Sequence, residues 1–337
     1  MIRTVHRFAP RVAAAALIST LACVGSTDSP KGGTGAGGST GSGGAIGVGG
    51  SSASGGGAGS AAAGGAPGGG GASGTGGATG AGGAPGSGGA TGAGGALAMA
   101  FKGVANVNNC GDLGKLTATW FYNWTLSPGS CTAAEFVPMI AGKSEKTAAA
   151  VTTSLNQVVQ KGYKTVLGFN EPNKSDQSNL TVDMAVSMWP ALTANAGIRV
   201  GSPATSADSA GQTWFTSFMG QVQSQGLRVD FIALHWYGWN AGSCDAKASQ
   251  LESYVKWAEG LPGGRPIWIT EWGCLNQSNP DMATVQAFYT GAVAMFAKHP
   301  RIERYAWYPW TTNNELVDSS DALTSLGTAF AGEPSTR

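Results

Sequence analysis

Thr165-Val-Leu-Gly-Phe-Asn-Glu-Pro-Asn173 is a short apolar run that ends in a carboxylate and is stopped at once by proline. A second stretch, Pro266-Ile-Trp-Ile-Thr-Glu-Trp-Gly273, repeats the plan. Each apolar run reads as a buried strand, and the Pro or Gly behind it as the strand's end. A carboxylate at the mouth of a buried strand costs desolvation energy unless it has a partner or a task. Glu171 and Glu271 are therefore the leading candidates for chemistry. Two such carboxylates on separate strands suit the hydrolysis of a glycosidic bond.

Outward from these two runs, strand-like and helix-like segments alternate. Strands are predicted over 102–107, 118–124, 135–141, 165–170, 199–203, 230–237, 266–270 and 304–310. Helical spacing is predicted over 146–161, 182–196, 212–225, 247–258, 282–298 and 322–329, with Leu155, Val158 and Val159 sharing a side of the first of these. Eight strands alternating with helices over about 240 residues predict an α/β fold, a parallel (β/α)8 TIM barrel spanning 98–337. In that architecture chemistry gathers at the C-terminal strand ends. Asn123, Asn170, Glu171, His235, Tyr237, Glu271 and Trp310 all fall there.

The preceding residues cannot belong to such a core. Of the 55 glycines in the 337-residue chain, about 33 lie between Lys31 and Gly95, in a tract without aromatics and without charge from Lys31 to Lys102. Such a tract buries too little apolar area to offset its ordering entropy, so 24–97 is expected to be a disordered linker with a span on the order of 45 Å. Gly does not recur strictly every third residue, which excludes collagen. Residues 1–23 resemble an export signal: Arg3, Arg7 and Arg11, then a short apolar run ending at Ala22-Cys23. Either cleavage occurs near Ala22, or Cys23 is lipidated and tethers the protein to a membrane. The expected location is outside the cytoplasm, secreted or surface-bound. Cys110, Cys131, Cys244 and Cys274 remain. An even number in an exported chain suggests disulfides, with Cys110–Cys131 the preferred pairing. The formal charge of +1, with no basic patch, argues against nucleic acid. No Cys or His cluster suggests a metal, no cofactor motif is present, and a monomer is expected.

Seven segments together carry a resemblance: Trp120-Phe-Tyr-Asn-Trp124, Phe136-Val-Pro-Met139, Gly168-Phe-Asn-Glu-Pro-Asn173, Gly201-Ser-Pro-Ala204, Leu234-His-Trp-Tyr237, Ile269-Thr-Glu-Trp-Gly273 and Tyr305-Ala-Trp-Tyr-Pro-Trp310. In this order they resemble glycoside hydrolase family 128, the Asl1-like catalytic domains, within the clan that carries its acid and nucleophile after strands four and seven. The resemblance implies retaining, internal cleavage of β-1,3-glucan. Glu171 is then the acid and base, and apolar surroundings such as Phe169 favour its protonated form. Glu271 is the nucleophile. Asn170 matches the position that bonds the sugar 2-hydroxyl. His235 and Tyr237 share one strand face; Tyr237 is expected to donate to Glu271, and His235 to support the carboxylates or a sugar. Trp310 is the expected platform under the reacting sugar. Asn123, Trp124, Trp236, Trp239 and Trp272 are candidates for flanking subsites, because indole faces stack on sugar C–H faces. Trp189, Trp214, Trp257 and Trp268 read as core. A different β-linkage and a non-catalytic glycan-binding module are the competing readings.

Overall fold

A computed structural model describes residues 101–277 and 280–335. The expected signal, linker and lipidation site lie outside the described residues. The strands are β1 (Lys102–Ala105), β2 (Trp120–Tyr122), β3 (Glu135–Phe136), β4 (Thr165–Val166), β5 (Arg199–Val200), β6 (Ile232–Tyr237), β7 (Ile267–Gly273) and β8 (Ile302–Trp307). The helices are α1 (Gly111–Lys115), α2 (Ala148–Gln160), α3 (Val182–Leu192), α4 (Ser209–Ser224), α5 (Ser249–Glu259), α6 (Met282–Phe296) and α7 (Ser325–Gly332).

Six strands pair in the order β3-β2-β1-β8-β7-β6, and β4 pairs with β5. Single parallel bridges join the two sets. Met139 meets Leu167 beyond β3, and Gly201 meets Phe231 before β6. All eight strands are thus parallel and the sheet closes on itself, which removes every edge. The predicted barrel is present. Its third to fifth strands are shorter than predicted, because Pro138 and Pro203 lack ladder donors.

Local sequence sets the helix starts. Thr147, Thr181, Asp208, Asp281 and Thr324 each accept a hydrogen bond from a backbone N–H in the first turn of the helix they cap. The last helix therefore begins at Ser325 rather than at the predicted Ala322. On α2, Val151, Leu155 and Val158 face the barrel, whereas Val159 is exposed, since it lies a further 100° around the helix.

Two apolar layers result. Inside the barrel are Ala105, Trp120, Tyr122, Val137, Met139, Leu167, Phe231, Trp268 and Ala306. A larger layer fills the space between strands and helices. Trp268 is the hub of the inner one. It stacks on Phe231 at 4.2 Å, meets Trp120 at 5.2 Å, and carries the Arg304 guanidinium 4.3 Å from its ring. Lys102 ties the first strand to the last helix: its buried Nζ donates to Thr117 Oγ1 and to the carbonyls of Phe330 and Glu333. Burial pushes its pKa down to about 8 against the opposing pull of Glu333. The cysteines pair as Cys110–Cys131 and Cys244–Cys274, the first as expected.

Trp268→Ala should lower unfolding stability by about 3–5 kcal/mol, the usual cost of emptying an aromatic site in a core. Denaturant unfolding measures this, and a loss below about 1 kcal/mol would show that the inner layer relaxes around the gap.

Candidate active site

Glu271 owes its direction to an irregularity in β7. Ile269 pairs with Tyr305 and Trp272 with Trp307, so three steps along β7 match two along β8. On the other edge, Leu234 pairs with Ile269 and His235 with Glu271, one step against two. One extra residue is therefore accommodated at Thr270–Glu271. Such a bulge reverses the in–out alternation beyond it. Trp268 points into the barrel, yet Trp272, four residues later, packs outward on Phe288, Tyr289 and Phe296 of α6. Between them Glu271 turns to the barrel mouth.

Three donors hold that carboxylate. Tyr122 Oη and Trp124 Nε1 each donate to Oε1 at 2.8 Å, and Tyr237 Oη donates to Oε2 at 2.7 Å. Burial, then the Glu271 charge, pushes both tyrosine pKa values far up, so both remain donors. The strand end behind Glu271 is clamped. Buried Asn314 accepts from Cys274 N–H at 2.9 Å and donates to the Cys274 carbonyl at 2.7 Å, and the Cys244–Cys274 disulfide ties the same residue to the β6–α5 loop.

Glu171 stands opposite, just past β4. Its N–H donates to the Ala204 carbonyl at 2.8 Å, and its backbone is left-handed, at φ 38°. A non-glycine residue in that region is uncommon and is held there by its surroundings. Here the Ala204 bond and Pro172 fix it. His235 lies between the two glutamates, with Nδ1 3.3 Å from Glu171 Oε1 and 3.4 Å from Glu271 Oε2. Two acceptors facing Nδ1 assign it the proton. Burial of the ring works against its charged form, but Glu271 and then Glu171 outweigh burial, and the pKa is raised. An oxygen of each glutamate and a His235 ring nitrogen all lie within 4.8 Å of one another. A cation could geometrically bridge the three, but Glu271 already accepts three protein hydrogen bonds.

The carboxylates line a cleft of about 440 Å³ with Trp124, Asn170, Gln177 and Tyr308 among its walls. Asn170 Nδ2 donates to Gln177 at 3.1 Å, and its buried Oδ1 has no hydrogen bond among the described residues. The structure thus brings together Glu171, Glu271, His235, Tyr237, Asn170 and Trp124. It sets other sequence candidates apart. Asn123 is used within its own turn, donating to the Ser127 carbonyl and accepting from Thr125. Trp236 is buried against Phe288, because strand alternation turns it away from His235 and Tyr237. Trp272 is core for the reason given above. Trp310 lines a different cavity, and its indole donates to the Ala105 carbonyl. Phe169 packs on Trp189 of α3 rather than beside Glu171. Trp239 is 60% exposed, edge-on to Tyr237 at the mouth. Two further residues contribute. Tyr122 shares a strand face with Trp120 and Trp124, a legible signal. Tyr308, which meets Trp124 and Tyr237 edge-on and has its pKa pushed up to about 12 by burial, lies past the end of β8; the sequence reading missed it, although it alternates with Trp310 in the strand predicted over 304–310.

His235 should titrate above about 6.5, and Glu271→Gln should bring it down, as read from imidazole NMR shifts; no change in the variant would remove Glu271 as the cause. The linked stability has a definite sign. The folded-state pKa is raised, so this contribution is complete below about 6.5 and is lost as pH rises through the folded value.

A family model described as the glycosyl hydrolase catalytic core matches residues 98–330. Alkali-sensitive linkage protein 1 of Schizosaccharomyces pombe is 31% identical over 231 residues, 63% of this chain and 39% of that protein. The chain therefore spans about two fifths of that relative's length. Among solved structures, a GH128 subgroup I endo-β-1,3-glucanase from Amycolatopsis mediterranei, in complex with laminaritriose, is similar at TM-score 0.59 and 34% identity, covering 69% of this chain and 98% of that one. A subgroup II endo-β-1,3-glucanase from Sorangium cellulosum matches at TM-score 0.60 and 25% identity, over 69% and 98% of the two chains. A subgroup III curdlan-specific exo-β-1,3-glucanase from Blastomyces gilchristii, in complex with glucose, matches at 0.58 and 28% over the same shares. With its parallel barrel and two carboxylates at one mouth, the chain belongs to glycoside hydrolase family 128 and is a glycoside hydrolase.

Proposed function

We propose that the protein is a retaining endo-β-1,3-glucanase. The observation that carries this reading is the approach of Glu171 and Glu271, with oxygens of the pair inside a 4.8 Å cluster. Retaining enzymes hold their carboxyl groups about 5–5.5 Å apart; inverting enzymes need more room, for a water molecule. Glu271, oriented by Tyr122, Trp124 and Tyr237, attacks the anomeric carbon. As the C–O bond to the leaving sugar breaks, Glu171 transfers its proton to the departing oxygen. Glu171, now a carboxylate, takes a proton from water. That water attacks the same carbon and releases Glu271 from the ester.

His235 contributes by position. Its Nδ1 proton faces both carboxylates and compensates whichever of the two is anionic as the proton and the ester change places. Asn170 Oδ1, which has no donor among the described residues, suits a sugar hydroxyl. Strengthening of that bond at the transition state favours catalysis over ground-state binding. The glucan substrate is supported by the laminari-oligosaccharide complex of the Amycolatopsis relative. Internal cleavage follows the subgroup I and II relatives, while the Blastomyces relative is described as exo-acting. We also propose that the protein works outside the cytoplasm, secreted or anchored through Cys23. Two disulfides among the described residues suit an oxidising compartment.

Glu171→Gln should cut laminarin hydrolysis by about 10²–10⁴-fold, the usual share of general acid–base catalysis, and Glu271→Ala should cut it at least as far, with both variants folded by circular dichroism. Full activity in either would refute the assignment. A panel of β-1,3-, mixed-linkage, β-1,4- and β-1,6-glucans with product sizing tests linkage and mode; glucose as the sole early product would replace the endo reading with an exo one. Proton NMR of the first product should show the β-anomer. A truncated chain beginning at Leu97 should keep its hydrolysis rate, and failure to fold would show that earlier residues are structural.

A further inference from the structure

Trp310 is a sequence candidate that the cleavage cleft does not use. It follows β8, and its indole N–H donates to the Ala105 carbonyl at 2.9 Å, which fixes the ring as a wall. That wall bounds a separate cavity of about 180 Å³, with Leu316 and Val317 on its apolar side and Asn108, Asp112 and Glu315 supplying polar groups. The cavity lies beyond the C-terminal ends of β1 and β8, the end of the barrel that bears the cleft. In sheet order these two strands sit between β2, which supplies Tyr122, and β7, which supplies Glu271.

Asp112 shows that this space is more than a gap between loops. Its side chain is buried, and Oδ2 accepts from Asn109 N–H at 3.3 Å. Oδ1 has no hydrogen-bond donor among the described residues; Lys115 Nζ stands 3.6 Å away. Oδ1 is thus ion-paired with Lys115 but at more than hydrogen-bond distance, so it keeps room to accept from a ligand hydroxyl. An immobilised indole beside carboxylate and amide groups is the chemistry that seats a neutral polyhydroxylated ring: C–H faces meet the indole, and hydroxyls donate to the acids. Two carboxylates in the lining disfavour an anion.

We infer that this cavity is a second glycan-binding site, which seats one hexose unit of a β-glucan outside the cleavage cleft. The inference rests on the β-glucan reading above for the identity of the chain it holds. Its effect is to keep a polymer on the barrel face between cleavages, so it acts on long substrates and leaves short ones alone.

The full chain and two variants test it: Trp310→Ala, which removes the wall, and Val317→Phe, which fills the space. Affinity electrophoresis through laminarin should show both retarded about fivefold less than the parent, the worth of roughly one sugar–aromatic contact. Val317→Phe should hydrolyse laminaritetraose at the parent's rate. Unchanged retardation in both variants would overturn the site. Equal loss on laminaritetraose would also overturn it, by placing the cavity within the cleft. A parent that cleaves and binds no laminarin would sink the functional reading instead. The site is then decided by the Trp310 indole N–H signal, assigned with Trp310→Phe. A shift of that signal on titration with glucose supports the site, and a signal that glucose leaves in place overturns it.

Discussion

A carboxylate held in the mouth of a closed barrel sets the terms for everything around it. Glu271 is 6% exposed, so water cannot solvate it as it would a surface acid. The protein supplies the lost solvation from fixed groups: two phenols, an indole and an imidazole, drawn from β2, β6 and the turn after β2. Each of these donors is held by its own surroundings. Tyr122 is wedged among inner-layer rings, Trp124 meets Tyr122 and Tyr308 edge-on, and Tyr237 meets Tyr308 in the same way. Dipoles oriented before the reaction cost nothing to reorganise during it, and much of enzymatic rate enhancement is attributed to such arrangements.

The bulge in β7 makes this solvation possible. A regular strand would keep Trp268 and Trp272 on one face and send Glu271 to the other, into the helical layer. The extra residue lets one strand serve three purposes in sequence. Trp268 fills the barrel, Glu271 faces the cleft, and Trp272 anchors the strand end on α6. Asn314 and the Cys244–Cys274 disulfide then hold the segment immediately beyond the acid. Rigid support behind a reacting group is what keeps its geometry productive, because displacements of about an ångström carry large rate penalties.

The two glutamates differ in their support, and the difference fits the different work proposed for them. Glu271 is braced by three donors and suits an anion that must attack from one direction. Glu171 has His235 as its side-chain partner and the more accessible position, 17% against 7% for the side chains. A group that loses a proton and later regains one needs access to water and few fixed donors. The left-handed backbone at Glu171, locked by Pro172 and the bond to Ala204, places it on the opposite wall.

Much of this was legible in the residues alone. Alternating apolar runs and helical spacing specified eight strands, and short runs ending in Asn-Glu-Pro and Thr-Glu-Trp marked both acids, because local propensity and burial demand act over a few residues. Strand alternation also placed His235 with Tyr237, and by the same rule it should have removed Trp236 from the subsite candidates. Other features depended on contacts between segments far apart in the chain. Whether Trp272 faced sugar or core was decided by how β7 registers against β6 and β8, and a bulge leaves no mark in composition. Trp310 turned from the reacting centre because its indole found the Ala105 carbonyl on the neighbouring strand β1, some 200 positions away in sequence. Residue types and their spacing determined which groups this chain could bring to a sugar; closure of the sheet, with the bulge in β7, decided which of them meet, since side-chain direction in a barrel is a property of register that no single segment contains.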